Sequence, residues 1–262
     1  MGSMARPMMA VIAVLTGLLG QEAQGQDRMN ILLFLVDDLG WQDVSVAMGR
    51  ERTPLNDRYH TPHLERLAAR GVVFSDAYAA APVCTPSRTA IMTGRCPART
   101  RITFWTLNKD TDTSRQREDL AAPAWEMNGL QPGRYETLPE ALRTVGYRTI
   151  HVGKAHFGAH DTPGADPRNL GFVVNIAGHG SGAPASYLGE HDFSLAERQG
   201  TEDGAASVWD VPGLDAYHGQ DVFLTEVLTT EAGKEIRRAK EDEVAWFMNF
   251  APYAVHTPIM AN

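Results

Sequence analysis

The chain has little cysteine. Only Cys84 and Cys96 occur in 262 residues, so at most one disulfide can form and no covalent framework holds the fold. It also lacks a long apolar run. The best candidate, Met8–Leu19, is shorter than the ~20 residues a spanning helix needs, which argues against a stable membrane span. Positive charge is scarce: 24 Lys and Arg face 32 Asp and Glu, and the net charge of −8 argues against a nucleic-acid surface. There is no internal repeat, heptad run or low-complexity tract. His160, His179, His191 and His218 show no zinc-helix spacing and read as loop histidines, with His179 the best placed of them to touch a substrate. What is present is an apolar share of 43%, enough to bury a core.

Met1–Gly25 has the pattern of a signal peptide: Arg6 for charge, Met8–Leu19 as the apolar stretch, and Ala23-Gln24-Gly25 as a small-x-small cleavage site. The mature chain is expected to begin near Gln26 and to work in the periplasm or outside the cell. The remaining roughly 235 residues suit one α/β domain.

Ile31–Val36 is an unbroken apolar run, expected as a strand buried on both faces, and it ends in Asp37-Asp38. Adjacent carboxylates there suit either a solvated turn or a hard divalent cation. Thr61-Pro62 opens a helix expected to bury Leu64, Leu67 and Ala68 and to stop at Gly71. Val72–Tyr78 reads as a strand. Cys84 then stands before Thr85-Pro86, a helix-opening pair, and Gly94 closes the run. A sulfur just ahead of a helix N-terminus faces unpaired amides and the positive dipole end, and Arg88 lies one turn along, able to reach back. The cysteine is either a disulfide partner of Cys96 or a functional thiol.

Thr100–Tyr135 is polar and lacks a clear period, as functional surface loops do. Its Trp105 and Trp125 either line a binding rim or pack on the sheet edge. Glu136–Val145 reads as a helix with Leu138, Leu142 and Val145 on one face, and Tyr147–Val152 as a strand ending in Gly153-Lys154-Ala155-His156. Lys154 is a point charge for an anion and His156 a proton carrier, unless the pair is only an exposed basic turn. Phe157–Gly219 is rich in Gly, Pro, Asp and His. Gln220–Lys240 reads as an amphipathic helix and Glu243–Phe250 as a buried strand that delivers His256 before Pro258. Four groups thus follow predicted strands, where ligands bind in open α/β sheets.

These stretches resemble a known family. Cys84-Thr85-Pro86-Ser87-Arg88 with Thr93-Gly94-Arg95, Asp37 to Asp43 (D-D-L-G-W-Q-D), T-P-H-L-E-R-L-A-A-R-G-V-V-F from Thr61, G-K-A-H-F-G from Gly153, and A-P-Y-A-V-H-T-P ending at Pro258 are similar to the type I sulfatases. The resemblance implies an alkaline-phosphatase-like α/β fold: a mixed, mostly parallel sheet with helices on both faces. It implies oxidation of Cys84 to formylglycine by a generating enzyme or maturase, and calcium, or magnesium, held by Asp37, Asp38 and residue 84. Arg88, Lys154, His156 and His256 would complete the catalytic set, with Lys154 and His256 also contacting substrate. The expected reaction is hydrolysis of a sulfate monoester of a glycan or aryl alcohol: a formylglycine hydroxyl attacks sulfur, His256 protonates the alcohol, and His156 helps expel sulfate. Ala155 departs from the family's Trp. The family's later Asp-Asn pair has no counterpart, since no Asp-Asn dipeptide occurs. The chain therefore reads as the N-terminal portion of a sulfatase, incomplete over 26–262. Other readings are a phosphate or phosphonate ester hydrolase of the same superfamily, a non-catalytic binder of sulfated glycans, or a structural export protein.

Overall fold

Three of the four strands of a parallel sheet lead at their C-terminal ends into chemistry-bearing groups: Asp37, Lys154 and His256. A computed structural model describes residues 28–115, 119–120, 122–200 and 206–262. The signal-peptide reading lies outside them. The chain divides into Met1–Asn30 and Ile31–Asn262, and every element named below belongs to the second unit.

Strands β1 (Ile31–Phe34), β2 (Arg148–Gly153), β3 (Val174–Ile176) and β4 (Trp246–Ala251) form one sheet in the order β1-β4-β2-β3. All pairings are parallel: Ile31 lies beside Phe247, Arg148 beside Trp246, and Ile150 beside Val174. The helices are α1 (Pro62–Ala68), α2 (Cys84–Thr93), α3 (Pro97–Thr100), α4 (Leu138–Thr144), α5 (Leu195–Gln199) and α6 (Leu224–Glu241). Among the described residues no helix is long and apolar enough to cross a membrane.

The period of two sorts the central strands onto two cores. Ile150, Val152 and Met248 face one side, where Leu224, Val227 and Leu228 of α6 pack with Tyr187, Phe193 and Tyr253. Phe247 faces the other, with Met92 of α2, Phe157, Phe172 and partly buried Leu142 of α4. Helices therefore cover both faces, as a parallel sheet requires. Helix α4 starts on a reciprocal cap: the Thr137 hydroxyl accepts from Glu140 N–H, and the Glu140 carboxylate accepts from Thr137 N–H at 2.8 Å.

Several sequence expectations fail on the β1 side. Strand β1 is not buried on both faces; Ile31, Leu32 and Phe34 are exposed, because among the described residues β1 pairs with β4 alone and is an edge. Helix α1 forms on its Thr-Pro start but buries no residue, and Leu67 is exposed. Residues 72–78 form no strand, and Val72, Phe74 and Tyr78 are exposed. Apolar character predicted burial there, but burial needs a neighbouring layer, and none of the described residues supplies one. On the other side β3 was missed, since three residues within a Gly-rich stretch carry no readable period. The helix ends also shift: α4 and α6 are shorter than the periodic runs, and Leu138 and Val145 stay exposed.

Candidate active site

The site is built where β1, β2, β4 and α2 end or begin. Val83 is the N-cap of α2, and Cys84 is its first helical residue rather than the residue before it. Val83 offers no side-chain cap, so the first-turn amides remain available to an anion beside the sulfur. Gly94 ends the helix in the left-handed conformation, as its position predicted. Cys84 and Cys96 are both free, which sets aside the disulfide alternative.

Lys154 reaches this sulfur because of Gly153. There φ is +91°, and a Cβ would run into the Ala251 carbonyl, so only glycine lets β2 end this close to β4. Lys154 N–H then bonds Ala251 O at 2.7 Å, and its side chain is wholly buried. Its Nζ lies 3.1 Å from Cys84 Sγ and forms an ion pair with Asp37 Oδ2. Arg88, also buried, does not reach back to the sulfur. It donates to Asp37 Oδ2 at 3.2 Å and to Lys154 O at 2.6 Å. Asp37 sits 3.6 Å from Cys84 Sγ. Burial pushes the Asp37 carboxyl up, but Arg88 and Lys154 outweigh that and hold it at about 2.

His256 arrives from the loop after β4. Its Nδ1 lies 2.9 Å from Thr257 O; a carbonyl only accepts, so Nδ1 carries a proton and Nε2 faces the site. Nε2 is 3.6 Å from Asp38 Oδ2. The neighbouring Cys84 raises the imidazole above its ordinary range against the opposing effects of burial and Lys154. Burial pushes the Cys84 thiol up in turn, but neighbouring His256 and the Lys154 charge bring it below the usual thiol range despite Asp37. Both shifts favour the charged forms, thiolate and imidazolium.

His156 is not brought into contact with Cys84. It is buried with a φ of +49°, its Nε2 donates to Thr106 O at 2.7 Å, and its Nδ1 has no partner among the described residues. Nδ1 faces the Gly182 backbone, where a Cβ would collide with the ring. Burial, then Lys154, drives this histidine well below its ordinary range, so it is neutral. Its bond leads instead to α2: Thr106 N–H donates to Thr85 Oγ1 at 3.1 Å. Thr106 and Thr85 were missed by sequence reasoning. Thr85 lies inside the C-T-P-S-R run, while Thr106 gave no signal in its polar loop. Trp125 is buried and donates to Asp112 at 2.9 Å, so it packs rather than lining a rim. His179 is buried too, with its Nε2 unpartnered among the described residues.

Beside Cys84 opens a cavity of about 660 Å³, walled by Leu35, Asp37, Asp38, Tyr78, Arg88 and Ile91 among others. The expected calcium site does not form from these residues alone. A calcium ion takes about six to eight oxygens. Among the described residues no three His, Cys, Asp or Glu gather to hold a metal. Asp37 Oδ2 is already engaged by two cations, and Asp38 is turned outward toward His256, its side chain 60% exposed.

A sequence model of the Sulfatase family matches residues 29–262. The chain is 31% identical over 241 residues to N-acetylgalactosamine-6-sulfatase of Canis lupus familiaris, covering 89% of this chain and 41% of that protein. It is 25% identical over 262 residues to an arylsulfatase of Klebsiella aerogenes, covering 96% and 48%. Among solved structures, Ps i-CgsB in complex with k-i-k-neocarrahexaose superposes with a TM-score of 0.64 at 26% identity, covering 90% of this chain and 47% of that one. The chain thus spans less than half the length of these relatives.

Proposed function

The chain belongs to the sulfatase family, and from that premise we propose that the protein containing it hydrolyses sulfate monoesters, with residue 84 as the reacting position. One observation carries this: the Cys84 sulfur sits on an uncapped helix N-terminus with Lys154 Nζ at 3.1 Å and Asp37 at 3.6 Å. Two buried cations against one carboxylate, with the helix amides, leave net positive potential where a sulfate would lie. Oxidation of Cys84 to formylglycine by a maturase would supply an aldehyde hydrate, an oxygen nucleophile for sulfur. Lys154 and Arg88 hold the anionic group and offset the charge that grows on its oxygens. His256, with Nδ1–H fixed on Thr257 O, donates from Nε2 to the departing alcohol oxygen. His156, neutral and bonded to Thr106, acts as a positioning residue that holds the start of α2 through Thr85. Calcium or magnesium at Asp37 and Asp38 requires donors beyond those gathered among the described residues.

A glycan substrate is favoured over a simple aryl ester by the relatives: one named for N-acetylgalactosamine 6-sulfate, one structure holding a neocarrahexaose. Export to the periplasm or beyond is supported by the Met1–Gly25 pattern. The test is co-expression with a formylglycine-generating enzyme. An aldehyde probe should label residue 84, and p-nitrophenyl sulfate should be cleaved in preference to p-nitrophenyl phosphate. Both signals should vanish in Cys84→Ala. Preferential phosphate cleavage without an aldehyde would favour the phosphoester alternative.

A further inference from the structure

The loop after β4 carries His256 without a ladder to hold it: residues 252–262 form only turns, bends and irregular backbone. Its anchors are single hydrogen bonds. His256 N–H donates to Tyr253 O at 3.0 Å, and Val255 N–H to Asp37 O at 3.3 Å. The carbonyl of His256 is met from outside the loop. Tyr187 Oη lies 2.8 Å from His256 O, and since a carbonyl only accepts, the phenol donates. The same residue reaches the loop a second time, its backbone N–H lying 3.4 Å from Met260 Sδ.

Tyr187 is itself firmly placed. It is 2% exposed and belongs to the core under α6. Its ring stacks on Phe223, with centroids 5.3 Å apart and planes 11° from parallel. Its carbonyl accepts from the N–H of Leu224, the first residue of α6, at 2.7 Å. Burial, then the charges of Asp37 and Asp38, push the phenol above its ordinary range, so it stays a donor. The core and α6 thus press a hydroxyl against the backbone of the candidate proton donor. That bond acts on the ring through geometry. His256 O belongs to the peptide plane joining residues 256 and 257, and the imidazole is bonded through Nδ1 to the next carbonyl, Thr257 O. Pinning the plane sets both the root of the side chain and the group that orients it.

We infer that Tyr187 is a positioning residue for the proton transfer: its hydroxyl fixes the 256–257 peptide and, with it, the aim of His256 Nε2 at the departing alcohol oxygen. The inference rests on the sulfatase reading above and concerns a residue that acts through His256.

The experiment compares the protein containing this chain, bearing formylglycine at 84, with Tyr187→Phe, His256→Ala and the double variant, on p-nitrophenyl sulfate and phenyl sulfate. Nitrophenolate is a stable anion and leaves with little help, whereas the more basic phenolate depends on the proton. Tyr187→Phe removes one oxygen and keeps the stacked ring. It should lower kcat/KM on phenyl sulfate about tenfold, within the ~10²-fold that a misplaced reacting group can cost. On p-nitrophenyl sulfate the loss should stay under about twofold. In the His256→Ala background the change should cost nothing further, because its route is already cut. Amide hydrogen exchange of residues 254–260 should rise in Tyr187→Phe while that of α6 is unchanged. Equal losses on the two esters, an additive loss in the double variant, or unchanged exchange in the loop overturns the positioning role and leaves the sulfatase reading standing. No cleavage of either ester by the wild type overturns both.

Discussion

Asp37→Asn should destabilise the protein far more than an ordinary surface change. The wild-type carboxylate accepts from Lys154 and Arg88, whose side chains are 0% and 3% exposed. Asparagine leaves two buried cations sharing a neutral oxygen. The Asp37 carboxyl is held at about 2 against an ordinary 3.8, a difference worth about 2 kcal/mol. Breaking a buried pair by removing one partner costs more, about 3–5 kcal/mol. The smaller figure is a floor, because the shift already nets the burial penalty of the carboxylate against the two attractions. For a domain of this size each kcal/mol moves the melting midpoint by about 2–4 °C, so a drop of roughly 4–20 °C is expected by calorimetry at pH 7. The pH dependence has a definite sign. The folded value is depressed, so the stabilisation is present above the ordinary carboxyl value and is lost as pH falls through about 2. Wild type and variant should therefore converge in acid. Asp37→Asn with Lys154→Met should recover part of the loss, since it removes one stranded cation. A midpoint change of under 1 °C, or a double variant less stable than the single, would refute the reasoning.

Alkylation of Cys84 by iodoacetamide should begin at lower pH than for an ordinary thiol, and His256→Ala should move its midpoint upward; unchanged kinetics in the variant would remove the Cys–His pair. Thr137→Ala breaks the reciprocal cap of α4 and the 2.7 Å bond to Leu170 O, so chemical denaturation should show a loss of about 1–2 kcal/mol. His156→Ala should lower sulfate-ester turnover without shifting the alkylation midpoint of Cys84 if it acts only through Thr106. A shift would restore a direct role.

What local chemistry dictates was legible in the residues. The Thr-Pro and Cys-Thr-Pro starts, the Gly94 stop, and the strand–loop placement of Asp37, Lys154 and His256 follow from backbone rules acting over a few positions, and all appear in the fold. The C-T-P-S-R run pointed to the family because several residue types at fixed spacing within a few positions make a specific local pattern. Only the tertiary structure decided which charges meet. Arg88 turned to Asp37 instead of the sulfur, His156 to Thr106 instead of the reacting centre, and Asp37 to Lys154 instead of a ring of oxygens. Likewise β1, α1 and residues 72–78 are apolar in sequence yet exposed. Side-chain partners are chosen by groups tens to hundreds of residues away, through burial and Coulomb attraction. No local pattern encodes that choice before the sheet brings its strand ends together.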